Sequence, residues 1–449
     1  MGEISERNAV RRLCDRLSFG PAPGELDARF EATLARLLST AADAATTPPP
    51  VLTPPQPTKA LRKKGAKQKG ADENGADEDK TAADRAARKA ANKARAAQEA
   101  KLSGWWLDRM VASDRATERL TWFWHGHFAT SNQKVRSAPL MLAQNQVLRT
   151  YARGSFTDLA QALVVDAAMI RWLDGNDNRE GSPNENLARE FLELFTLGIG
   201  HYSEVDVFEG ARALTGWTVR RASAKAVFVA ARHDSGEKTI LGKAGEFGAK
   251  EFVDLALAKP ESAEFVIGRL WFRLVSSTPP APETVRRLVA AYGSERDIGA
   301  VLKAMVADAA FRDSTSALVK QPVEWAVGLM RALGIQPAKL DDKTRVMLLA
   351  GLRGMGQLPL RPPSVGGWPS GASWLTTSAG VTRLRLAQLL ARKAVLGQLE
   401  KSSARVDGVR VLLGVDAWSA RTKDALAGLT DPAQLTAVAA CAPEYVVSG

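Results

Sequence analysis

Two of the four histidines in this 449-residue chain stand one residue apart in "TWFWHGHFATS", residues 121–131. His125 and His127 are walled there by Trp122, Phe123, Trp124 and Phe128. An imidazole can serve as general base, proton shuttle or metal ligand, and aromatic walls that exclude water favour each use. A second polar group is "NENLARE", residues 184–190. In it Glu190 would act as metal ligand or proton acceptor and Arg189 would hold an anionic group. Asn184, Glu185 and Asn186 would touch the ligand. A third is "HDSGEK", where a loop could present His233 and Asp234 to a pocket formed elsewhere, with Lys238 as an anion contact. An HxH pair joined by a distant histidine and a glutamate would suit zinc or iron. A divalent metal is therefore the cofactor these residues suggest, and metal-assisted hydrolysis or transfer the chemistry. The chain carries no HExxH, P-loop, GxGxxG or GxSxG signature to indicate another cofactor or nucleophile.

Each group also has a purely structural reading. On a helix, residues two apart lie about 200° around the axis, so His125 and His127 would face opposite sides and could not share a metal. One would bond a backbone carbonyl in the core. An extended segment, or a break at Gly126, would bring them to one side. Glu185–Arg189 and Arg189–Glu193 are four apart, as helical ion pairs are, so "NENLARE" could be a buried polar network. Asp234 could close its turn through an Asx bond. His201 is expected only to flank a helix, because Ser203 and Asp206 already form a capping box with Tyr202 and Val207 as staple.

The elements that must position these groups read as helices nearly throughout. Apolar residues recur at three- and four-residue spacing in "APLMLAQNQVLRTYARG" and "SFTDLAQALVVDAAMIRWLDG". Ser155 with Asp158 suggests a capping-box start, and Ser182, Pro183 and Glu185 a second. That helix is expected to run through "FLELFTL" to Gly198. "AVFVAARHDSGEKTILG" breaks the pattern and predicts a small β-hairpin or extended pair near 226–242. "MGQLPLRPPSVGGWPSGASW" is a long Pro/Gly-rich loop, packed or functional. No internal repeat supports a solenoid.

Composition places this text in a globular protein: 45% apolar and 24% charged residues. The net charge of +12 invites nucleic-acid binding, but Lys59 to Lys101 holds 13 Lys+Arg against 7 Asp+Glu, half the excess. No DNA- or RNA-binding motif accompanies it. That stretch begins Pro-rich, turns Lys/Gly-rich and then acidic, and has little to bury, so it is expected to be disordered. Its Ala-rich end predicts a solvated helix. The insert could tether an acidic protein or surface. With two cysteines, Cys14 and Cys441, there is no disulfide framework. No apolar run is long enough to span a bilayer, and the first residues show no signal peptide, so a cytoplasmic location is expected.

"FWHGHFATS", "SPNENLAREFLELFTLGIGHYSEVDVFEGARALTGWT", "HDSGEKTILG" and "PPSVGGWPSGASW" stand in one order. Together they resemble a bacterial family catalogued as domain of unknown function 1800. The ends "RRLCDRLSFGPAPGEL" and "CAPEYVVSG" are similar too. The resemblance covers nearly the whole chain outside the insert. It implies a mostly α-helical fold, no established activity, and a family many of whose members are exported. The expected organisation is N-terminal helices at 1–44, the basic insert at 45–101, and a main α-helical domain at 102–449. The expected function is a polar ligand-binding or catalytic pocket built from the three groups. The alternative is a non-catalytic helical scaffold with a buried polar network; nucleic-acid binding is least favoured.

Overall fold

A computed structural model describes residues 4–54, 74–220, 225–400 and 404–448. The chain is mainly α-helical, as the apolar spacing predicts. Strands occur among the described residues as three short antiparallel pairs. One buried cluster runs from Ala9 to Val446, so the helices share a common core. None of the described helices is long and apolar enough to cross a membrane. Cys14 and Cys441 are unpaired.

The chain ends are tied together through the first helix, Glu6–Leu17. Arg16 is buried at its end and is saturated by acceptors. Its guanidinium donates to Ser448 Oγ at 2.9 Å, Ser448 O at 2.7 Å, Val275 O at 2.8 Å and Ser316 O at 2.8 Å. The strand pair Leu318–Val319 and Val447–Ser448 lies at the same junction.

The middle of the expected unstructured insert, 55–73, lies outside the described residues. Its Ala-rich end is helical and is continuous with the core. The helix Asn74–Ala112 passes through Lys101 without a break and buries Trp106 and Met110. The first residues of the insert, expected to be unstructured, instead pack back on this helix, because its side chains engage their backbone. Trp105 Nε1 donates to Thr47 O at 3.0 Å, and Thr53 N donates to Gln98 Oε1 at 3.0 Å.

Local starts differ in instructive ways. Ser203 and Asp206 form the expected capping box ahead of Glu204–Ala213. Phe156–Val164 begins after Ser155, but the Ser155 backbone bridges to Asp297 and its side chain caps nothing. Ser182 is not an N-cap. It pairs with Arg179 across a turn at Gly181, and the helix begins only at Asn186. Asn178 causes the delay. Its Oδ1 accepts from Asn184 N at 2.9 Å while its Nδ2 donates to Ala211 O at 2.8 Å, which holds the chain extended until Asn184 can turn it.

The extended segments near 226–242 exist, but as parts of two hairpins. Ala226–Phe228 pairs back with Trp217–Val219, and Lys238–Ile240 pairs forward with Lys243–Gly245. The second turn is Leu241–Gly242, both at positive φ, the two-residue geometry that matches strand twist. "HDSGEK" therefore joins the hairpins instead of turning one.

Candidate functional site

His125 and His127 lie on the helix Thr117–His127, so they face opposite sides. His125 is enclosed by tryptophans. Its ring stands edge-on to Trp106 at 5.3 Å and to Trp368 at 5.4 Å, with Trp122 at 6.2 Å. Burial pushes its pKa down from 6.5 to about 3, so the ring is neutral.

His127 lies among phenylalanines. Phe123 stacks on it at 6.0 Å and Phe128 meets it edge-on at 4.8 Å. Its Nε2 lies 2.9 Å from Phe195 O. A carbonyl only accepts, so Nε2 carries the hydrogen and Nδ1 holds the lone pair. Nδ1 is buried and finds no partner among the described residues. Burial, then the charge of Arg269, push the His127 pKa to about 3, while the bond to Phe195 opposes them.

The acceptor for His127 is supplied by an irregular helix end. After Asn186–Glu190 the backbone widens to a π-helix over Phe191–Thr196. Leu197 N reaches back five residues to Leu192 O at 2.8 Å, and Thr196 Oγ1 donates to Phe191 O at 2.7 Å. Carbonyls in a last turn lack helical partners, and one-turn π segments re-aim side chains. Phe195 O is thus free for His127. Gly198 ends the turn at φ 83°, and a Cβ there would stand 3.0 Å from the Phe265 ring.

A cavity of about 470 Å³ opens beside His127. The π-helical turn contributes Glu193 and Leu194, and Leu197, Ile199 and His201 follow it. The helix Pro260–Leu274 contributes Glu261, Glu264, Phe265 and Arg269. Glu261 Oε2 is buried without a partner among the described residues. Glu193 accepts from the Tyr202 hydroxyl at 2.6 Å. Burial and that carboxylate hold Tyr202 above the usual phenol range. Arg269, whose pKa burial lowers, has neither hydrogen bond nor ion pair among the described residues.

The Pro/Gly-rich loop closes over this end. Gly366 lines the cavity. Gly367 sits at φ 83° directly against Gly126, where a Cβ would lie 2.2 Å from the Gly126 carbonyl oxygen. Trp368 then stacks on Trp122 at 4.8 Å. Arg273 donates to Trp368 O at 3.0 Å, and Arg361 pins the loop to Glu99 of the long helix. The motifs "FWHGHF" and "SVGGW" therefore meet backbone to backbone.

Of the expected site residues, His127 lines this cavity. Glu190 is half-buried and is not among the lining residues, its carboxyl raised by burial and by Glu193 against the opposing charge of Arg189. Arg189 turns outward and is engaged by Glu185 at 2.9 Å and Glu204 at 2.7 Å. Asn184 Oδ1 accepts from Asn186 N at 3.1 Å, a local turn. His233 Nδ1 lies 3.0 Å from Thr215 O, which fixes its hydrogen there. Asp234 takes two bonds from Arg212, at 2.7 and 3.1 Å, and closes an Asx turn onto Gly236 N at 3.0 Å. The Arg212 bonds hold the Asp234 carboxyl below its usual range. Lys238, buried, donates to Asp234 O at 2.7 Å and Gly236 O at 2.8 Å. Among the described residues, no group of three or more His, Cys, Asp or Glu is placed to hold a metal ion.

The carboxylates Glu261 and Glu264 and the cation Arg269 were not singled out from the sequence, and Glu193 was read there only as a helical partner of Arg189, which pairs with Glu185 and Glu204 instead. A signal existed: Glu261, Phe265 and Arg269 follow at four-residue spacing, one stripe of a helix. The family model described as "Protein of unknown function (DUF1800)" matches residues 12–447, and the chain belongs to that family. No curated protein matches the chain. No solved structure matches it either.

Proposed function

We propose that this member of the family of unknown function binds a small, donor-rich polar ligand in the cavity beside His127. The carrying observation is that His127 lines the cavity while its Nδ1 lone pair is buried with no partner among the described residues. A buried polar atom without a partner costs about 1–3 kcal/mol, which a ligand donor would offset. The ring stays neutral at pH 7, because its pKa is about 3, and so it accepts instead of repelling a donor. Glu193, Glu261 and Glu264 add acceptors against the single cation Arg269. Hydroxyl-rich or amine-bearing molecules match this lining. Binding accounts for the site more directly than metal-assisted hydrolysis or transfer does. That chemistry needs converging imidazoles, and His125 and His233 are held in other surroundings.

A second reading, a helical scaffold fixed by buried polar groups, is favoured by one observation. Glu118 is fully buried and takes bonds from Trp106 Nε1 at 3.0 Å, Arg109 at 2.8 Å and Arg149 at 2.7 Å. The two readings are compatible in one molecule, since Glu118 and His127 lie on opposite sides of the helix Thr117–His127.

The test is thermal unfolding of the full chain against a panel of sugars, polyols and polyamines. A ligand at about 100 times its Kd adds about 2.7 kcal/mol. We expect at least one class to raise the melting temperature of the wild type and of His125→Phe, and to leave His127→Phe and Glu261→Gln unmoved. A panel without effect, or equal shifts in all four proteins, ends the proposal.

A further inference from the structure

On the other side of Arg269 lies a second cavity, of about 670 Å³. Arg269 belongs to the walls of both. The chemistry of the second is the reverse of the first. Five cationic side chains, Arg16, Arg119, Arg269, Arg273 and Lys320, face two carboxylates, Asp15 and Glu324. Arg16, Arg119, Lys320, Asp15 and Glu324 are each more than nine-tenths buried.

The two carboxylates are engaged by ion pairs, although Asp15 Oδ1 and Oδ2 and Glu324 Oε1 accept no hydrogen bond among the described residues. Asp15 holds Lys320 at 2.9 Å and Arg11 at 3.7 Å, and Glu324 holds Arg119 at 2.7 Å. Arg16 is saturated by backbone carbonyls and Ser448, and Arg273 donates to Trp368 O and Pro369 O. Three donors remain. Arg269 has no acceptor among the described residues, and Arg119 Nε and Trp368 Nε1 are buried without one. Uncompensated charge and unsatisfied donors are both costly when desolvated. A surplus of positive charge, the unengaged Arg269 guanidinium and two unpartnered N–H groups on residues of one cavity wall are what an oxyanion with several acceptor oxygens would satisfy.

We propose that this second cavity is a binding site for a tetrahedral dianion of the phosphate class, held by Arg269, Arg119 and the Trp368 indole. The anion would accept from these three groups and balance the surplus cations. The site stands independently of the ligand proposed beside His127. A phosphate could arrive free or as the phosphoryl end of a larger ester, and the two sources are separated by the probes below.

Inorganic phosphate and glycerol phosphate are titrated into the full chain by calorimetry, at constant ionic strength set with chloride. The wild type is expected to bind phosphate. Arg269→Met is expected to melt higher than the wild type in phosphate-free buffer, because an uncompensated charge is gone, and to lose affinity on the order of tenfold or more. Trp368→Phe, which removes one donor from this cavity alone, should lose several-fold. His127→Phe should bind phosphate as the wild type does. Tighter binding of glycerol phosphate than of phosphate would identify an ester as the source, and equal or weaker binding the free ion; both fit the site. Absence of a phosphate effect beyond chloride overturns the proposal. So does retained affinity in both Arg269→Met and Trp368→Phe. Loss of phosphate binding in His127→Phe would place the anion in the first cavity and overturn it as well.

Discussion

His125 and His127 share a helix, deep burial and a pKa lowered by burial to about 3, yet their surroundings differ. His125 is closed in by Trp106, Trp122 and Trp368, edge-on to two of them, as a ring N–H approaching a π face would be. Behind that wall stands the Glu118 network. His127 fixes one nitrogen on Phe195 O, keeps the other without a partner among the described residues, and lines a cavity. Burial, a depressed pKa and one buried nitrogen without a partner among the described residues mark both histidines and so distinguish neither. A directed hydrogen bond on one nitrogen, with a cavity beside the ring, is what separates a candidate site from packing.

The largest effect expected is one the two histidines share. Each is neutral in the fold down to about pH 3, whereas the unfolded chain takes up a proton near pH 6.5. Their stabilising contribution is therefore complete above pH 6.5 and falls as the pH drops toward 3. The slope is roughly 1.4 kcal/mol per pH unit for each ring, several kcal/mol across the window. Urea unfolding between pH 7 and about 5 checks this. His125→Phe and His127→Phe should each flatten the slope by a similar amount, although only the second changes the proposed ligand response. A slope that neither substitution alters would mean that carboxylates alone govern acid unfolding.

Glu118→Ala comes next and strikes only the tryptophan side. It leaves Arg109, Arg149 and the Trp106 indole without their common acceptor. Burial alone would raise the Glu118 pKa, but Arg149 and Arg109 outweigh it and hold the carboxyl below its usual range. Breaking such a buried cluster typically costs about 3–5 kcal/mol. Denaturant midpoints with unchanged slopes would measure the loss. A cost below about 1 kcal/mol would reduce the network to an incidental contact and weaken the structural role given to the His125 side.

The contrast between the two sides was partly legible in the sequence. Helical spacing alone gives opposite faces for residues two apart, and the fold bears this out. The capping box at Ser203 and the extended segments within 226–242 were also written locally, whereas the strand Trp217–Val219 that pairs with the first of them was not. What spacing could not give was which face meets a cavity. That depends on Phe195 O being freed by a π-helical turn, on Gly367 lying against Gly126, and on Arg269 arriving from a helix more than 130 residues away. Likewise "SPNE" has the composition of a helix start, but Asn178, a tertiary partner invisible to local reading, holds it extended. "HDSGEK" looked like a presenting loop because polar residues in turns often serve ligands. Here Arg212, Thr215 and the loop's own carbonyls engage its side chains.

The smallest expected effect concerns that loop and sharpens the comparison from outside. If "HDSGEK" is a self-satisfied connector, its histidine belongs with His125 in role and not with His127. His233→Gln would remove the bond from Nδ1 to Thr215 O and the edge-on contact with Phe228 at 5.2 Å. The site is partly exposed, so water can replace the lost donor, and the cost should be about 0.5–1.5 kcal/mol, that of one ordinary hydrogen bond. Both cavities should be untouched, because neither is lined by the loop. The variant should therefore melt slightly lower than the wild type while keeping the same shift with any compound that His127→Phe ignores, and the same phosphate affinity. A lost ligand shift with little loss of stability would bring His233 back to the site and require the loop to move onto the cavity when ligand binds.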